Sequence, residues 1–219
     1  MPISDVSFSV TAVVADVLRV APLVELPVSE GRDPARVTAL LEAARAGSHE
    51  AFGELVTLHE RMVFRVALAA LGNREDALDA AQDAFVVAWR KLGGFRGDAA
   101  FRTWLLTIAW RKALDRRRAR SISWRRTVVS AAGEPDPIDA LAGAEADPER
   151  AAVARDLARR CRDEIERLSP KLKDALLLAA SGDYSYTEIA AMLGIPLGTV
   201  KWRVSEARRI VGSRLGSTD

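Results

Sequence analysis

The chain contains very few of the residues that build disulfide frameworks or metal centres. Its 219 residues include one cysteine, Cys161, and two histidines, His49 and His59. One cysteine excludes an intramolecular disulfide framework, and the spacing of these three residues matches no zinc motif. We therefore expect a protein of the reducing cytoplasm that holds neither a metal nor another cofactor.

A long uninterrupted hydrophobic run is also absent, and so is a strong net charge. The apolar stretch at residues 6–28 is interrupted by Asp16, Arg19 and Glu25, and no basic residue precedes it. This pattern indicates neither a signal peptide nor a membrane span, and residues 1–33 are predicted to be a disordered tail without an assigned function. Because the net charge is only +2, the positions of the charges must decide whether the protein binds nucleic acid.

Helical periodicity dominates the chain from residue 34 onward. Asp33 and Pro34 form an N-cap and a first-turn proline, and a second helix is predicted to begin near Ser48. Apolar residues recur at helical spacing along both helices. His59 lies on the apolar stripe of the second helix, so we predict a packed core histidine rather than a ligand.

The predicted third helix, residues 74–92, combines an apolar seam with an acidic surface. It contains no lysine or arginine between Glu75 and Asp83. Three carboxylates share one helix face, which we call the acidic ridge: Asp76, Asp79 and Asp83. The ridge is expected to face solvent or a partner. The apolar seam is expected to face the core: Leu78, Ala81, Phe85 and Trp89.

The predicted fourth helix, residues 99–120, changes character halfway along. Its first half has apolar residues on two opposite faces, so both faces must be covered. Phe101 and Trp104 are predicted to be core residues, whereas Trp110 is left open between packing and DNA contact. Residues 111–126 then contain eight lysines and arginines and one acidic residue. Such a concentration of positive charge suits a polyanionic partner.

A composition change separates this basic region from the rest of the chain. Residues 127–149 contain six acidic residues and no basic one, and they lack helical periodicity. The predicted fold is therefore all-α, with two small helical domains at 34–120 and 150–219 joined by a flexible acidic linker at 121–149. Cys161 lies on an apolar stripe of the second domain and is predicted to be a small buried hydrophobe rather than a nucleophile.

The C-terminal region has the element order of a helix-turn-helix. Ser185 and Glu188 form a capping box that opens a short helix, Gly194 ends that helix, and Pro196 opens a longer one. A short helix, a tight turn and a longer helix are typical of DNA-binding motifs of this type. The exposed positions of the longer helix mix cations with groups able to meet base edges in a major groove. Its buried stripe is predicted to be Val200, Val204, Ala207 and Val211.

Three segments together resemble the extracytoplasmic-function sigma factors, and the resemblance covers about residues 35–215. Residues 76–85, Asp-Ala-Leu-Asp-Ala-Ala-Gln-Asp-Ala-Phe, are similar to region 2.2 of that family. Residues 95–116, beginning Phe-Arg-Gly-Asp, are similar to regions 2.3 and 2.4. Residues 188–201, beginning Glu-Ile-Ala-Ala-Met-Leu-Gly, are similar to region 4.2. The first and last segments are individually common, but all three in this order are highly specific.

This resemblance implies a role for each segment. Core RNA polymerase would bind the acidic ridge and its neighbours: Asp76, Asp79, Gln82, Asp83 and Phe85. The −10 element of promoter DNA would bind the loop and the fourth helix, where cations adjoin surfaces for unstacked bases. Its contacts would be Phe95, Arg96, Arg111, Lys112, Arg116 and Arg117. The −35 element would bind the longer helix of the helix-turn-helix: Thr199, Lys201, Trp202, Arg203, Ser205, Glu206 and Arg208.

The resemblance further implies a non-enzymatic, cytoplasmic subunit that an anti-sigma factor controls and that makes no membrane contact of its own. It departs from the family at three positions, Arg111, Trp202 and Glu206, so no promoter preference can be transferred from a relative. The alternative is a stand-alone helix-turn-helix regulator. Such a regulator has no reason to carry both an acidic ridge and a basic, aromatic helix. An enzyme acting on nucleic acid is disfavoured because clustered carboxylates with a histidine, and a glycine-rich phosphate loop, are absent.

Overall fold

The computed structural model describes residues 34–97, 99–126 and 148–216, with side chains described for 34–97, 99–120 and 156–216. The predicted tail at 1–33 and most of the predicted linker lie outside the described residues. Within the described ranges every regular element is helical, which confirms the all-α prediction. Among these helices, none combines the length and the apolar character needed to cross a bilayer.

The described helices fall into two compact units. The first unit contains α1 (Pro34–Arg45), α2 (His49–Leu71), α3 (Arg74–Lys91), a 3₁₀ turn (Leu92–Gly94) and α4 (Phe101–Arg126). The second unit contains most of the chain from 148 to 216: α5 (Pro148–Glu166), α6 (Pro170–Ala180), α7 (Tyr186–Leu193) and α8 (Leu197–Gly216). Two helical domains are thereby confirmed, whereas the predicted borders of the linker stay predictions.

Local hydrogen bonds explain where several helices begin and end. The Ser48 hydroxyl accepts from the backbone N–H of Ala51 at 3.1 Å and caps α2, which ends at Gly72 with a left-handed φ of 67°. Asn73 then accepts from the N–H of Asp76 at 2.9 Å and caps α3. Ser169 occupies the N-cap position of α6, but its side chain makes no capping hydrogen bond. For α6, the proline in the first turn is therefore the stronger start signal.

The core of the first unit forms where α2, α3 and α4 pack against one another. His59 is buried there, as predicted, and its Nδ1 donates to the Leu55 carbonyl oxygen at 2.9 Å. Its ring also meets the edge of Phe101 with centroids 5.4 Å apart. Burial lowers the pKa of His59 below its ordinary value of 6.5, against the opposing effect of the Leu55 hydrogen bond.

The inward face of α3 differs from the predicted seam. Leu78 is 43% exposed, so the prediction that it faces the core is wrong. Phe85 and Trp89 are only half-buried, and Ala81 alone of the predicted seam is buried. The buried stripe consists instead of small residues: Ala77, Ala80, Ala81, Ala84 and Ala88. Alanines let helix axes approach closely, and the face that packs against α2 and α4 is therefore the one without large side chains.

Helix α4 begins two residues later than predicted, at Phe101, and continues beyond the predicted end to Arg126. Leu105 and Leu106 are both buried, which confirms that both faces of its first half are covered. Trp110 is 1% exposed, so the open question about this residue is resolved in favour of packing. Phe101 is buried as predicted, and Trp104 is half-buried.

The second unit packs α5 and α6 against α8. Cys161 is fully buried, as predicted, and burial raises the pKa of its thiol to about 11. Its core partners come from all three helices: Ile165, Leu168, Leu176, Leu177, Ala180, Ala207 and Val211. The predicted buried stripe of α8 is confirmed at all four positions. On α7, Ile189 and Met192 are buried.

The capping box at the start of α7 is formed in both directions. The backbone N–H of Ser185 donates to the Glu188 carboxylate at 2.9 Å, and the N–H of Glu188 donates to the Ser185 hydroxyl at 3.2 Å. Gly194, with a left-handed φ of 65°, ends α7. These local signals connect α7 to α8 as a helix-turn-helix.

Candidate nucleic-acid interfaces

The acidic ridge on α3 lies at the surface but is partly neutralised within the chain. Asp79 and Asp83 are exposed, whereas the side chain of Asp76 is 25% exposed. Arg116 on α4 donates from Nε to Asp76 at 3.0 Å and also bonds to Asp79. Arg120 adds a second bond to Asp76 at 2.9 Å. Sequence reasoning assigned these carboxylates and Arg116 to different partners and missed their contact.

The third ridge carboxylate, Asp83, and the neighbouring Gln82 make no such contact within the described ranges. Gln82 and Asp83 are exposed, and within the described ranges neither has a hydrogen-bond or ion-pair partner. Leu78, which is 43% exposed, and Val86, which is 49% exposed, lie one helical turn to either side of Gln82. Sequence reasoning missed Val86, and it placed Leu78 in the core because large apolar residues were expected to define the buried face.

The described cations of α4 differ in whether they have a hydrogen-bond or ion-pair partner. Among the side chains that the structure describes, Arg111 and Lys112 have no hydrogen-bond or ion-pair partner. Arg117, by contrast, donates to the Ala70 carbonyl oxygen near the end of α2 at 3.3 Å. The hydrogen bond to Asp76 is the main cause that raises the pKa of Arg116 above its ordinary value. Among the side chains described on α4, Arg111 and Lys112 are therefore the cations that can meet a phosphate without first breaking a bond within the protein.

The loop before α4 carries an aromatic cluster. Phe95 is buried, and its ring centroid lies 5.1 Å from that of Trp104 and 5.8 Å from that of Phe101. The Arg45 guanidinium lies over the Phe95 ring, 5.6 Å from its centroid. Phe95 thus has a packing role in the described structure, and its predicted DNA contact stays a prediction. Arg96 beside it is exposed and, within the described ranges, unpaired.

The exposed face of α8 carries the predicted −35 residues. Lys201, Trp202 and Ser205 are exposed, and the side chains of Thr199, Arg203 and Arg208 are half-buried. Within the residues described, the enclosed Nε of Arg208 lacks a hydrogen-bond partner.

Glu206, in contrast, forms an ion pair with a residue of its own helix. Arg209 donates to its two carboxylate oxygens at 2.8 and 2.7 Å. This contact lowers the pKa of Glu206. The sequence-based site did not include Arg209, although the i, i+3 spacing from Glu206 predicts such a pair.

Metal chemistry finds no suitable arrangement among the described residues of either unit. In the described ranges, no group of three histidine, cysteine or acidic side chains could hold a metal ion. The features that remain are charged and apolar surfaces on helices, which suit binding to macromolecules.

Comparisons with known proteins define the class of these two units. A model of sigma-70 region 2 matches residues 55–122, and a model of sigma-70 region 4 matches residues 159–211. Together the two matches cover more than half of the chain and correspond to its two helical units. They define a transcription initiation factor of the sigma-70 type.

Individual relatives specify the group. The RNA polymerase sigma-H factor of Pseudomonas aeruginosa is 33% identical over 80% of this chain and 92% of its own length. The ECF RNA polymerase sigma factor SigM of Mycobacterium tuberculosis is 34% identical over 85% of this chain and 88% of its own. The chain belongs to the extracytoplasmic-function sigma factors of the sigma-70 family, and the alternative of a stand-alone regulator is not favoured.

A solved structure agrees with this assignment. CnrH, in complex with the cytosolic domain of CnrY, has a TM-score of 0.56 and 25% identity, covering 85% of this chain and 100% of that chain. The sigma factor RpoE of Bartonella quintana, solved with the anti-sigma factor NepR, has a TM-score of 0.53 and 23% identity, covering 77% and 98%. The latter likeness supports the fold alone.

Proposed function

We propose that this sigma factor binds core RNA polymerase through α3, the −10 element through α4 and the loop before it, and the −35 element through α8. The observation that carries this proposal is that charges without a partner among the described residues lie on different helices, the acidic one on α3 and the cationic ones on α4 and α8. Asp83 on α3 is an exposed acid, Arg111 and Lys112 on α4 are cations, and Lys201 on α8 is another. Complementary charge suits a basic protein surface in the first case and phosphates in the others.

The polymerase-binding surface combines charge with apolar area. Leu78, Gln82 and Val86 follow one line along α3, since positions four apart are neighbours on a helix. Asp79 and Asp83 lie beside this line, both on the same side of it. A partner with an apolar surface and one basic edge would bury the two exposed hydrophobic side chains and meet the carboxylates. This pattern supports a protein partner for α3 rather than a nucleic acid.

The DNA-binding surfaces differ because the two promoter elements differ in form. The −35 element remains a duplex, and α8 would enter its major groove. The −10 element is to be opened, and the cations of α4 would hold the phosphates of the separated strand. The protein acts as a non-enzymatic subunit, because it supplies binding surfaces rather than chemical groups for a reaction.

An anti-sigma factor is the further partner that we propose. CnrH was solved with the cytosolic domain of CnrY, and this chain covers the whole of the CnrH chain. A protein that binds polymerase would work in the cytoplasm without a membrane contact of its own. Any membrane link would then belong to its regulator.

Run-off transcription with sigma-free core polymerase across a promoter library tests the proposal directly. The wild-type protein is expected to start transcription at a defined subset of promoters. If no promoter in the library gives a transcript with a polymerase that it binds, promoter recognition is refuted.

The polymerase-binding face is tested by charge reversal at one position. Asp83→Lys should weaken binding to core polymerase by about tenfold at low salt, because it places a cation against a basic surface. Glu60→Lys is the matched control, since Glu60 is an exposed acid of α2 in the same unit. Equal losses in the two variants would mean that α3 is not the specific contact.

A further inference from the structure

Trp202 is the most exposed of the large hydrophobic side chains that the structure describes. It is 61% exposed, in the second turn of α8, while its neighbours Val200 and Val204 are buried. An exposed indole leaves a large apolar ring in contact with water, and tryptophan is enriched at interfaces because it pairs that ring with a polar N–H group. The fold does not need the side chain, because the buried face of α8 is complete without it.

The charges around Trp202 indicate what covers it. Helix α8 contains five lysines and arginines but one acid, Glu206. That acid is held by both guanidinium bonds from Arg209. The exposed residues beside Trp202 are therefore mainly cationic or neutral, and a polyanion is the partner that they favour.

Duplex DNA offers an apolar group within a polyanion. The bases of a duplex are stacked, so a major groove presents their edges rather than their faces. Among those edges, the C5-methyl group of thymine is the apolar feature. An indole held on the outer face of α8 can pack against that methyl group while the flanking cations meet phosphates.

We infer that Trp202 is a specificity-determining residue that reads the methyl group of a thymine in the −35 element. This inference rests on the proposed binding of α8 to that element. It assigns to Trp202 an apolar contact rather than a hydrogen bond.

The test removes only the methyl group. A preferred −35 element is first selected from a randomised duplex library with holoenzyme assembled from this sigma factor and core polymerase. Each thymine of the selected element is then replaced by deoxyuridine. At one position, wild-type holoenzyme should lose about fourfold in affinity, the effect of burying one methyl group. Trp202→Ala should bind the thymine duplex more weakly and should bind both duplexes equally.

Two further variants separate a specific role from a general one. Trp202→Phe keeps an aromatic ring and should keep part of the preference for thymine. Leu197→Ala is the matched control, because Leu197 is another exposed hydrophobic residue of α8 and its loss should leave that preference intact. Circular dichroism checks that each variant is folded.

Three results would overturn the inference while promoter selection stands: equal wild-type binding to thymine and deoxyuridine at every position, an unchanged preference in Trp202→Ala, or a selected element without an A·T pair. Failure of the holoenzyme to select any element would refute the proposed function itself. The inference would then fall with it.

Discussion

Arg116 on α4 donates to Asp76 on α3 at 3.0 Å, and the same guanidinium also bonds to Asp79. The two aspartates belong to the surface proposed for polymerase, and Arg116 was assigned to the −10 element. In the free protein, ion pairs therefore join the surface proposed for polymerase to the surface proposed for the −10 element. Any partner that draws Asp76 or Asp79 away from Arg116 would release a cation on α4, the helix that we propose to bind the −10 element.

The strength of this contact can be measured by a double-mutant cycle. Asp76→Asn, Arg116→Gln and the double variant should give a coupling energy of about 1 kcal/mol, because the pair is only partly exposed and Arg116 makes a second bond. Urea unfolding supplies the free energies. Arg111→Gln is the control and should change stability by less than about 0.5 kcal/mol. A coupling energy near zero would show that the bridge does not join α3 and α4 energetically.

Arg111 and Lys112 are predicted to be the main phosphate contacts of α4. Arg111→Gln and Lys112→Gln should each reduce the slope of log affinity against log salt by about 0.9 on promoter DNA. Arg36→Gln removes a cation from α1 of the same unit and should leave the slope unchanged. Binding of holoenzyme to a promoter fragment at several salt concentrations provides the measurement, and unaltered slopes in both α4 variants would exclude phosphate contacts.

The salt dependence of promoter binding also tests whether Arg116 and Arg117 contact phosphates. Neutralising both side chains should also weaken promoter binding and flatten the salt dependence, provided that they exchange their intramolecular partners for phosphates in the complex. Should stability fall while the slope stays that of the wild type, the two arginines serve the fold and not the DNA.

His59 should make stability depend on pH. Because burial lowers its pKa, the unfolded chain binds a proton near pH 6.5 that the folded chain does not. The stabilising contribution is therefore fully present above pH 6.5 and is lost as the pH falls through the lowered pKa of the folded state. Urea unfolding between pH 7.5 and about 5 should show this loss in wild type and in His49→Gln, the control at the exposed histidine. In His59→Gln this loss of stability should be absent. An equal pH dependence in all three proteins would contradict its attribution to His59.

Cys161 should report the opening of the second unit. Its thiol is buried and has a pKa of about 11, so at pH 8 it is both neutral and inaccessible. Iodoacetamide should label the native protein only as fast as the unit opens, and it should label the chain rapidly in urea. A Cys161→Ala chain with Ser205→Cys places the thiol on an exposed position of α8 and should react at once. Rapid labelling of native wild-type protein would show that the unit is more open than the structure describes.

Much of the local structure could be read from neighbouring residues. Ser48, Gly72 and the pair of Ser185 and Glu188 mark helix ends, because capping bonds join residues within a few positions of one another. The order of the three motif segments was also sufficient to indicate the family. These features depend on short-range geometry and on residue type, so the local sequence is sufficient to predict them.

The remaining features depend on which distant residues come together. Leu78 and the alanines of α3 lie on adjacent faces, and only packing against α2 and α4 decided that the alanines face inward. Trp110 is buried because neighbouring helices cover it, and the sequence of its own helix does not predict that burial. Asp76 and Arg116 are forty residues apart in sequence. Their contact arises because α3 and α4 lie side by side, so the tertiary structure alone determined that the acidic ridge and the basic helix partly neutralise one another.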